Sequence, residues 1–302
     1  MATPASLGVK AKRVADVPLD PDDPAWAEAT PATVSMSAQA VTPPMGGGQV
    51  TQVEVRALHS GGEFAVRLTW KNPTTETLVG VKHFRDAAAV MFPVNAAPTP
   101  SPTMGQVGAP VLIWQWKADW EDFASAHAAS MARYPDYMDY KHPTNDALNA
   151  SFGDKPQGAE KVDVMVAEGF GSITRVGDAE VEARSSRAGE FTRVVFRRTL
   201  PATAPALVPG TVSALNVAVW DGSADNRGSR KSVSMVWTEL LLEAPAAPGS
   251  SVPSLPVNGP MVGLGLLLLA AGALFAGGIA RAEEVRKAEL EREARAPEAK
   301  AR

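Results

Sequence analysis

The chain has 302 residues, 29 Lys and Arg against 33 Asp and Glu, and a formal net charge of -4 at pH 7. This weakly acidic balance, without a basic stretch, argues against nucleic-acid binding. The chain contains no cysteine, which excludes disulfides, cysteine-ligated zinc, iron–sulfur clusters and covalently attached c-type heme within it. Any redox cofactor must therefore be held by other side chains.

Residues 1–25 form a polar segment rich in Pro and Asp, without the apolar run of an ordinary signal peptide. From residue 26 to 243 the pattern predicts an all-β domain, because short runs of alternating apolar residues are separated by turn residues. The strand candidates are residues 49–58, 64–70, 87–92, 111–116, 162–167, 172–176, 180–184, 192–197, 213–220 and 232–242. Ten short strands of this kind are typical of a β-sandwich. Residues 120–158 interrupt the pattern as a partly helical insertion.

The C-terminal part of the sequence predicts a membrane anchor. Residues 244–260 read as a Pro, Gly and Ser linker. The twenty residues 261–280 carry no charge, and a helix of that length spans about 30 Å, the thickness of the hydrocarbon layer. The alternative is a buried core helix. Residues 281–302 hold seven Lys and Arg, which predicts a cytoplasmic tail and places the β domain on the extracytoplasmic side.

Three segments carry candidate chemistry. In residues 84–104 an apolar run ends at a proline, and a Pro-rich loop then presents Met104, whose thioether could ligate iron or simply cap the core. In residues 111–120, Trp114 and Trp116 share one face of a strand, where they could wall a flat cofactor or belong to the sandwich core. Lys117 faces the other way. In residues 217–237, Lys231 stands at the start of a predicted strand. It could be a metal ligand or an ordinary solvated lysine.

Five segments in order resemble a known family: FRDAAAVMFP, PTMGQVGAPVLIWQWKADW, VMVAEGFGSITR, VVFRRTL and VAVWDGSADNRGSRKSVSMVW. They are similar to the heme b (gamma) subunit of ethylbenzene dehydrogenase and its relatives, which include dimethylsulfide dehydrogenase, selenate reductase, chlorate reductase and nitrite oxidoreductase. The resemblance covers roughly residues 26–242.

The resemblance implies a β-sandwich that holds one heme b between a Met and a Lys. Carried onto this sequence, the ligands fall on Met104 and Lys231, with Met91 and Lys117 as the alternatives. Trp114 and Trp116 are expected beside the cofactor, and Arg230 is expected to pair with a heme propionate.

The function that follows is electron transfer without a catalytic site, since the sequence has no GxSxG elbow and no Ser/His/Asp spacing of a hydrolase. The resemblance implies a molybdopterin catalytic subunit and an iron–sulfur subunit as partners. The other expected partners are membrane lipid and a c-type cytochrome or another membrane subunit. The alternative is a heme-free β-sandwich that serves as a binding or assembly subunit of a membrane complex.

Overall fold

The computed structural model describes residues 8–80, 82–95, 99–133, 161–176, 181–200 and 207–244. Within these ranges it contains one helix, α1 (Phe123–Arg133), three short 3₁₀ turns (Pro24–Ala27, Ala118–Trp120 and Gly222–Ala224) and fourteen strands. The strands are β1 (Val9–Arg13), β2 (Ala32–Ser35), β3 (Ser37–Ala38), β4 (Gln52–His59), β5 (Glu63–Lys71), β6 (Ala87–Pro93), β7 (Val111–Lys117), β8 (Val162–Ala167), β9 (Thr174–Arg175), β10 (Val181–Ala188), β11 (Phe191–Thr199), β12 (Val212–Trp220), β13 (Ser232–Val233) and β14 (Thr238–Leu242).

The strand predictions are confirmed, since each of the ten predicted regions contains a strand. The last region divides into β13 and β14, because residues 234–237 between them are not part of a strand. Strands β1, β2 and β3 were not predicted. The insertion begins as expected with a helix, α1, and its remainder from residue 134 to 158 lies outside the described residues.

The strands form two sheets that share β12. The first sheet has the order β10-β11-β5-β4-β1-β14, with β2 beside the first half of β4. The second sheet has the order β12-β6-β7-β8-β9, with β13 and then β3 on the other side of β12. Residues 212–215 of β12 pair with β14, whereas residues 216–220 pair with β6. A single strand therefore passes from one sheet to the other.

The interior core lies between the sheets and is made by alternate residues of both. Its largest members are Phe64, Trp70, Phe92, Trp114, Trp116 and Phe196. Phe92 and Trp114 are in ring contact with centroids 4.8 Å apart, and Phe64 packs edge-on against Phe92. Because side chains alternate across a strand, the remaining residues of each strand point to an outer face of the sandwich.

The outer face of the first sheet is covered by the chain's own N-terminal segment, residues 14–29. Val17, Trp26 and Ala29 pack on that face. Arg67 donates from Nη1 to the carbonyl of Pro21 at 3.0 Å, and its guanidinium lies 5.1 Å from the centre of the Trp26 ring. β1 also lies inside the first sheet, so residues 8–25 are part of the sandwich. The predicted boundary at residue 25 therefore does not separate these residues from the β domain.

The predicted anchor lies outside the residues that the structure describes, which end at residue 244. This applies to the linker from residue 245 onward, to the apolar run 261–280 and to the tail 281–302. Among the helices that are described, none has both the length and the apolar character needed to cross a membrane.

Candidate functional site

The outer face of the second sheet is apolar, which is unusual for a sandwich surface. Alternate residues of four neighbouring strands, together with one residue of β13, form a second buried cluster. Its members are Ala87, Ala89, Met91, Val111, Ile113, Met165, Ala167, Ala218, Trp220 and Val233. We call this surface the Trp220 face. Met104 and Trp237 pack against it from loops.

The floor of the Trp220 face is low and flat in the middle. Ala89 lies opposite Ala218 on the neighbouring strand, and Ala87 lies opposite Trp220. These small side chains keep the surface of the sheet low, and the flexible thioethers of Met91 and Met165 can adapt to a molecule placed against it. An apolar lining of this kind is typical of surfaces that bind apolar ligands.

Met104 comes from the loop between β6 and β7, and its side chain is half-buried against the Trp220 face. Its backbone has φ +78°, a left-handed conformation that costs an ordinary residue about 1–2 kcal/mol. Gly105 follows at φ +79°, and a Cβ at Gly105 would lie 2.9 Å from the carbonyl oxygens of Ala109 and Ala167. The loop thus holds Met104 in an unfavourable conformation, as residues at functional sites often are.

Two further hydrogen bonds fix this loop to the sheet. The carbonyl of Met104 accepts from the backbone N–H of Gly169 at 2.8 Å. Trp237 Nε1 donates to the carbonyl of Pro100 at 2.8 Å. The thioether is therefore carried by a loop that is tied down at Met104 itself and at Pro100, four residues earlier.

Lys231 reaches the same face from its other end. It precedes Ser232, which pairs with Val219, and so falls opposite Trp220. Its Nζ lies 4.8 Å from the centre of the Trp220 ring. Burial lowers the pKa of Lys231 from its usual 10.5 to about 8. Within the described part of the chain, this ammonium has no hydrogen-bond or ion-pair partner.

The backbone of Lys231 is held by a glycine-rich segment that the sequence analysis did not single out. Lys231 donates its N–H to the carbonyl of Gly46 at 3.2 Å, and its own carbonyl accepts from Gln39 at 3.1 Å. A Cβ at Gly47 would lie 2.3 Å from that carbonyl, so only glycine allows this approach. The run of three glycines at residues 46–48 was the available signal.

The alternative ligands also point to the Trp220 face. Met91 lies in the middle of β6 and is 7% exposed. Lys117 lies opposite Ala87 at the end of β7. Its Nζ is 3.0 Å from Asp163 Oδ2 and 4.3 Å from the centre of the Trp120 ring. Unlike the ammonium of Lys231, the ammonium of Lys117 is engaged by a carboxylate.

Trp114 and Trp116 point away from this face. Both are buried in the interior core, and Trp116 Nε1 donates to Glu121 Oε1 at 2.9 Å. The structure therefore does not bring the two tryptophans together with Met104 and Lys231. Trp220 is the tryptophan that it places in contact with Lys231.

Arg230 immediately precedes Lys231, but its guanidinium packs on the Gly46 segment. The carbon of the guanidinium would be 3.5 Å from a Cβ at Gly46. Its Nε is buried and has no hydrogen-bond partner in the described structure. An anionic group bound nearby could accept from this nitrogen.

The donor atoms on the Trp220 face restrict the metal chemistry it can support. No group of three or more His, Cys, Asp or Glu that could hold a bare metal ion occurs among the described residues. Met104 supplies one thioether and Lys231 one amine. Two single donors suit a metal whose other positions are already filled by a planar macrocycle. The residues present therefore fit a heme better than a free ion.

A cavity of about 450 Å³ opens elsewhere, between α1 and the ends of β10 and β11. Asp86, Trp116, Ser125 and Thr192 are among its lining residues. The carboxylate of Asp86 is already used inside the fold, where it accepts from Asn72 Nδ2 and from the backbone N–H groups of Glu76 and Gly222. Neither Met104 nor Lys231 borders this cavity.

Comparison with known proteins finds relatives whose sequence identity is low but extends over about two thirds or more of the chain. The chain is 26% identical to the chlorate reductase gamma subunit of Ideonella dechloratans over 200 residues, covering 65% of this chain and 67% of that protein. It is 26% identical to the dimethylsulfide dehydrogenase gamma subunit of Rhodovulum sulfidophilum, covering 76% and 78%. A Haloferax mediterranei protein with the provisional name respiratory nitrate reductase heme subunit is also 26% identical, covering 77% and 72%.

Among solved structures, a family 9 carbohydrate binding module from Caldicellulosiruptor kristjanssonii, in complex with glucose, superimposes with a TM-score of 0.44. It has 10% sequence identity, and the alignment covers 80% of this chain and 98% of that one. The family model described as ethylbenzene dehydrogenase matches residues 23–232. That range includes Met104, Lys231 and all of the second sheet except Val233. The chain therefore belongs to the ethylbenzene dehydrogenase family.

Proposed function

We propose that this chain binds one heme b on the Trp220 face and acts as an electron-transfer subunit of a molybdenum enzyme complex. The observation that carries the proposal is that a sulfur donor, Met104, and an amine donor, Lys231, stand at opposite ends of one apolar face. Met104 belongs to the loop that follows Pro93 at one end of β6, whereas Lys231 lies level with Ala87 at the other end. The seven residues of β6 span about 20 Å.

Met104 and Lys231 are the residues that would hold the heme iron. The thioether of Met104 has no proton to lose and would bind iron directly. The amine of Lys231 can donate its lone pair only when it is neutral, and burial in an apolar face favours that form. Arg230, with its unpartnered Nε, is the proposed partner of a heme propionate.

With both Met104 and Lys231 bound to it, the iron would have no position left for a substrate. A bound heme would therefore supply one-electron transfer and no oxygen or substrate activation. The apolar floor excludes water, and a dry surrounding is one of the levers by which a protein sets the potential of a heme. This is why we assign the chain a non-catalytic role.

The partners follow from the relatives and from the composition. Two of the relatives are named as gamma subunits of chlorate reductase and dimethylsulfide dehydrogenase, and a third as a heme subunit. This chain has no cysteine and so holds no iron–sulfur cluster. We therefore place the molybdopterin and iron–sulfur centres in separate partner subunits.

The proposal includes a membrane anchor formed by residues 261–280. The β domain would lie on the extracytoplasmic side, and the tail 281–302 in the cytoplasm, because its seven Lys and Arg oppose translocation. A c-type cytochrome or another membrane subunit would then exchange electrons with the heme at the membrane surface.

The test is the heme content and spectrum of the full-length protein made with an adequate heme supply. We expect one non-covalently bound heme per chain and a low-spin b-type reduced-minus-oxidised spectrum. Replacing both proposed ligands, Met104→Ala with Lys231→Ala, should abolish the low-spin spectrum. Glu182→Ala, which removes an ion pair with Arg197 on the first sheet, is the matched control and should leave it unchanged. A colourless full-length protein would refute the proposal.

A further inference from the structure

Two lysines occupy the same cross-strand row of the Trp220 face. Lys231 falls opposite Trp220, Trp220 pairs with Ala87, and Ala87 pairs with Lys117. The row spans three strand spacings, or about 14 Å between the outer Cα atoms. Between the two lysines lie Trp220, whose ring Lys231 contacts, and Ala87, which has little side chain of its own. Because a lysine amine stands on a flexible four-carbon stem, both amines can reach the space above Ala87.

Only one of these lysines is held back by a carboxylate. Asp163 Oδ2 lies 3.0 Å from Lys117 Nζ, and both residues are buried. Arg175 binds the same carboxylate through both of its oxygens at 2.5 Å, which fixes the orientation of the carboxylate. Asp163 belongs to β8, on the opposite side of β7 from β6. The ion pair therefore draws the amine of Lys117 away from Ala87.

Asp163 lies on the Trp220 face itself, since it shares the alternation of Met165 and Ala167 on β8. A buried carboxylate on an apolar face is costly unless it is paired. The pairs with Lys117 and Arg175 account for its stability there. They do not explain why an acid occupies this face, where an apolar residue would pack without that cost.

We propose that Asp163 is a positioning residue that directs Lys117 away from the iron and so leaves Lys231 as the amine ligand. This inference rests on the proposed function. It predicts that the choice between two lysines of one row is made by a carboxylate that binds only one of them. Asp163 would select the ligand, and Arg175 would hold Asp163 in place.

The test compares variants by electron paramagnetic resonance and near-infrared magnetic circular dichroism, which distinguish amine-ligated low-spin heme from other species. In Lys231→Ala, with Asp163 intact, amine ligation should be lost, because Lys117 remains bound to Asp163. In Lys231→Ala with Asp163→Ala, amine ligation should return in most of the sample. Adding Lys117→Met should remove it again, and Asp163→Glu in place of Asp163→Ala should keep it suppressed.

Two results would overturn the inference. The first is amine ligation in Lys231→Ala that disappears when Lys117→Met is added, which would mean that Asp163 does not restrain Lys117. This comparison needs no change at Asp163. The second is the absence of any recovered amine ligation in the folded Lys231→Ala, Asp163→Ala protein. A wild-type spectrum in the combined Lys231→Ala, Lys117→Met variant would instead refute the ligand assignment of the proposed function.

Discussion

The ammonium of Lys231 lies 4.8 Å from the centre of the Trp220 ring, directly across a strand pair. In the protein without a bound cofactor, this aromatic contact stabilises the charged amine by about 1 kcal/mol, which is typical of a cation over an indole. Burial opposes it and lowers the pKa of Lys231 to about 8. The lowered pKa means that the amine of Lys231 gives up its proton more easily than an exposed lysine does, as an iron ligand must.

Lys231→Ala should therefore remove one axial ligand, whereas Lys117→Ala should not. We expect Lys231→Ala to lose the low-spin spectrum, because no other unpaired amine reaches this row in the described structure. Lys117→Ala should keep the spectrum but lower the stability by about 3 kcal/mol, since it leaves the buried Asp163 with one partner fewer. Visible spectra and thermal melts of both variants check this. The reverse pattern would move the ligand to Lys117.

Met104→Ala should change the spectrum, and Met91→Ala should change only the stability. Met104 is only half-buried in its loop, so its replacement costs less packing than that of a fully buried methionine and removes the sulfur ligand. Met91 is 7% exposed in a regular strand, and truncating a buried methionine costs about 2 kcal/mol or more. The two variants should be compared by their heme spectra and their unfolding midpoints. A spectral change in Met91→Ala alone would exchange their roles.

The strands were predictable because their alternation is local, and the ligand candidates because of the resemblance. The sequence did not predict which face of each strand points into the core between the sheets. Every residue of β6 is buried, so the alternation of apolar residues gives no sign of which face meets the other sheet. Trp114 and Trp116 illustrate the ambiguity, since they pack in the interior while Val111 and Ile113 line the Trp220 face.

The N-terminal strand and the supporting residues escaped prediction for a different reason. β1, with the sequence VKAKR, is short and charged, and it is held by parallel pairing with β4 and β14, far away in sequence. The roles of Gly47 and Asp163 depend likewise on contacts across the sheet. A single sequence carries no record of such long-range contacts, so only the structure reveals them.

His59 should make the fold sensitive to mild acid. It is fully buried, and burial together with the nearby Arg13 guanidinium lowers the pKa of His59 below its usual 6.5. Below pH 6.5 the unfolded chain therefore takes up a proton that the folded chain resists. The contribution of His59 to the free energy of unfolding should have its full value above pH 6.5. It should fall at lower pH, by at most about 1.4 kcal/mol per pH unit.

Denaturant titrations between pH 7.5 and 5.5 check this, with His59→Leu as the comparison. The substitution removes the titrating ring and should flatten the pH dependence, even if it also changes the stability at pH 7.5. Equal slopes for the wild type and His59→Leu would show that another group is responsible.

Arg67→Ala should loosen the N-terminal segment without altering the Trp220 face. The guanidinium donates to the Pro21 carbonyl and lies over Trp26, and its loss leaves that carbonyl without this donor. We expect a loss of about 2 kcal/mol in stability, in line with hydrogen bonds that involve charged groups. The heme spectrum should be unchanged, because the segment covers the first sheet. Faster proteolysis near residues 14–29 would locate the effect, and an altered spectrum would contradict it.

Residues 261–280 should decide where the protein is found in a fractionated cell. Removing residues 261–302 should shift the protein from the membrane fraction to the soluble fraction, because the twenty uncharged residues are then absent. Removing only the tail, residues 281–302, should leave it in the membrane and serves as the matched control. Both truncated proteins should keep the heme spectrum, since the family match ends at residue 232. If the shorter protein stays in the membrane, another subunit or surface anchors it, and the proposed span is wrong.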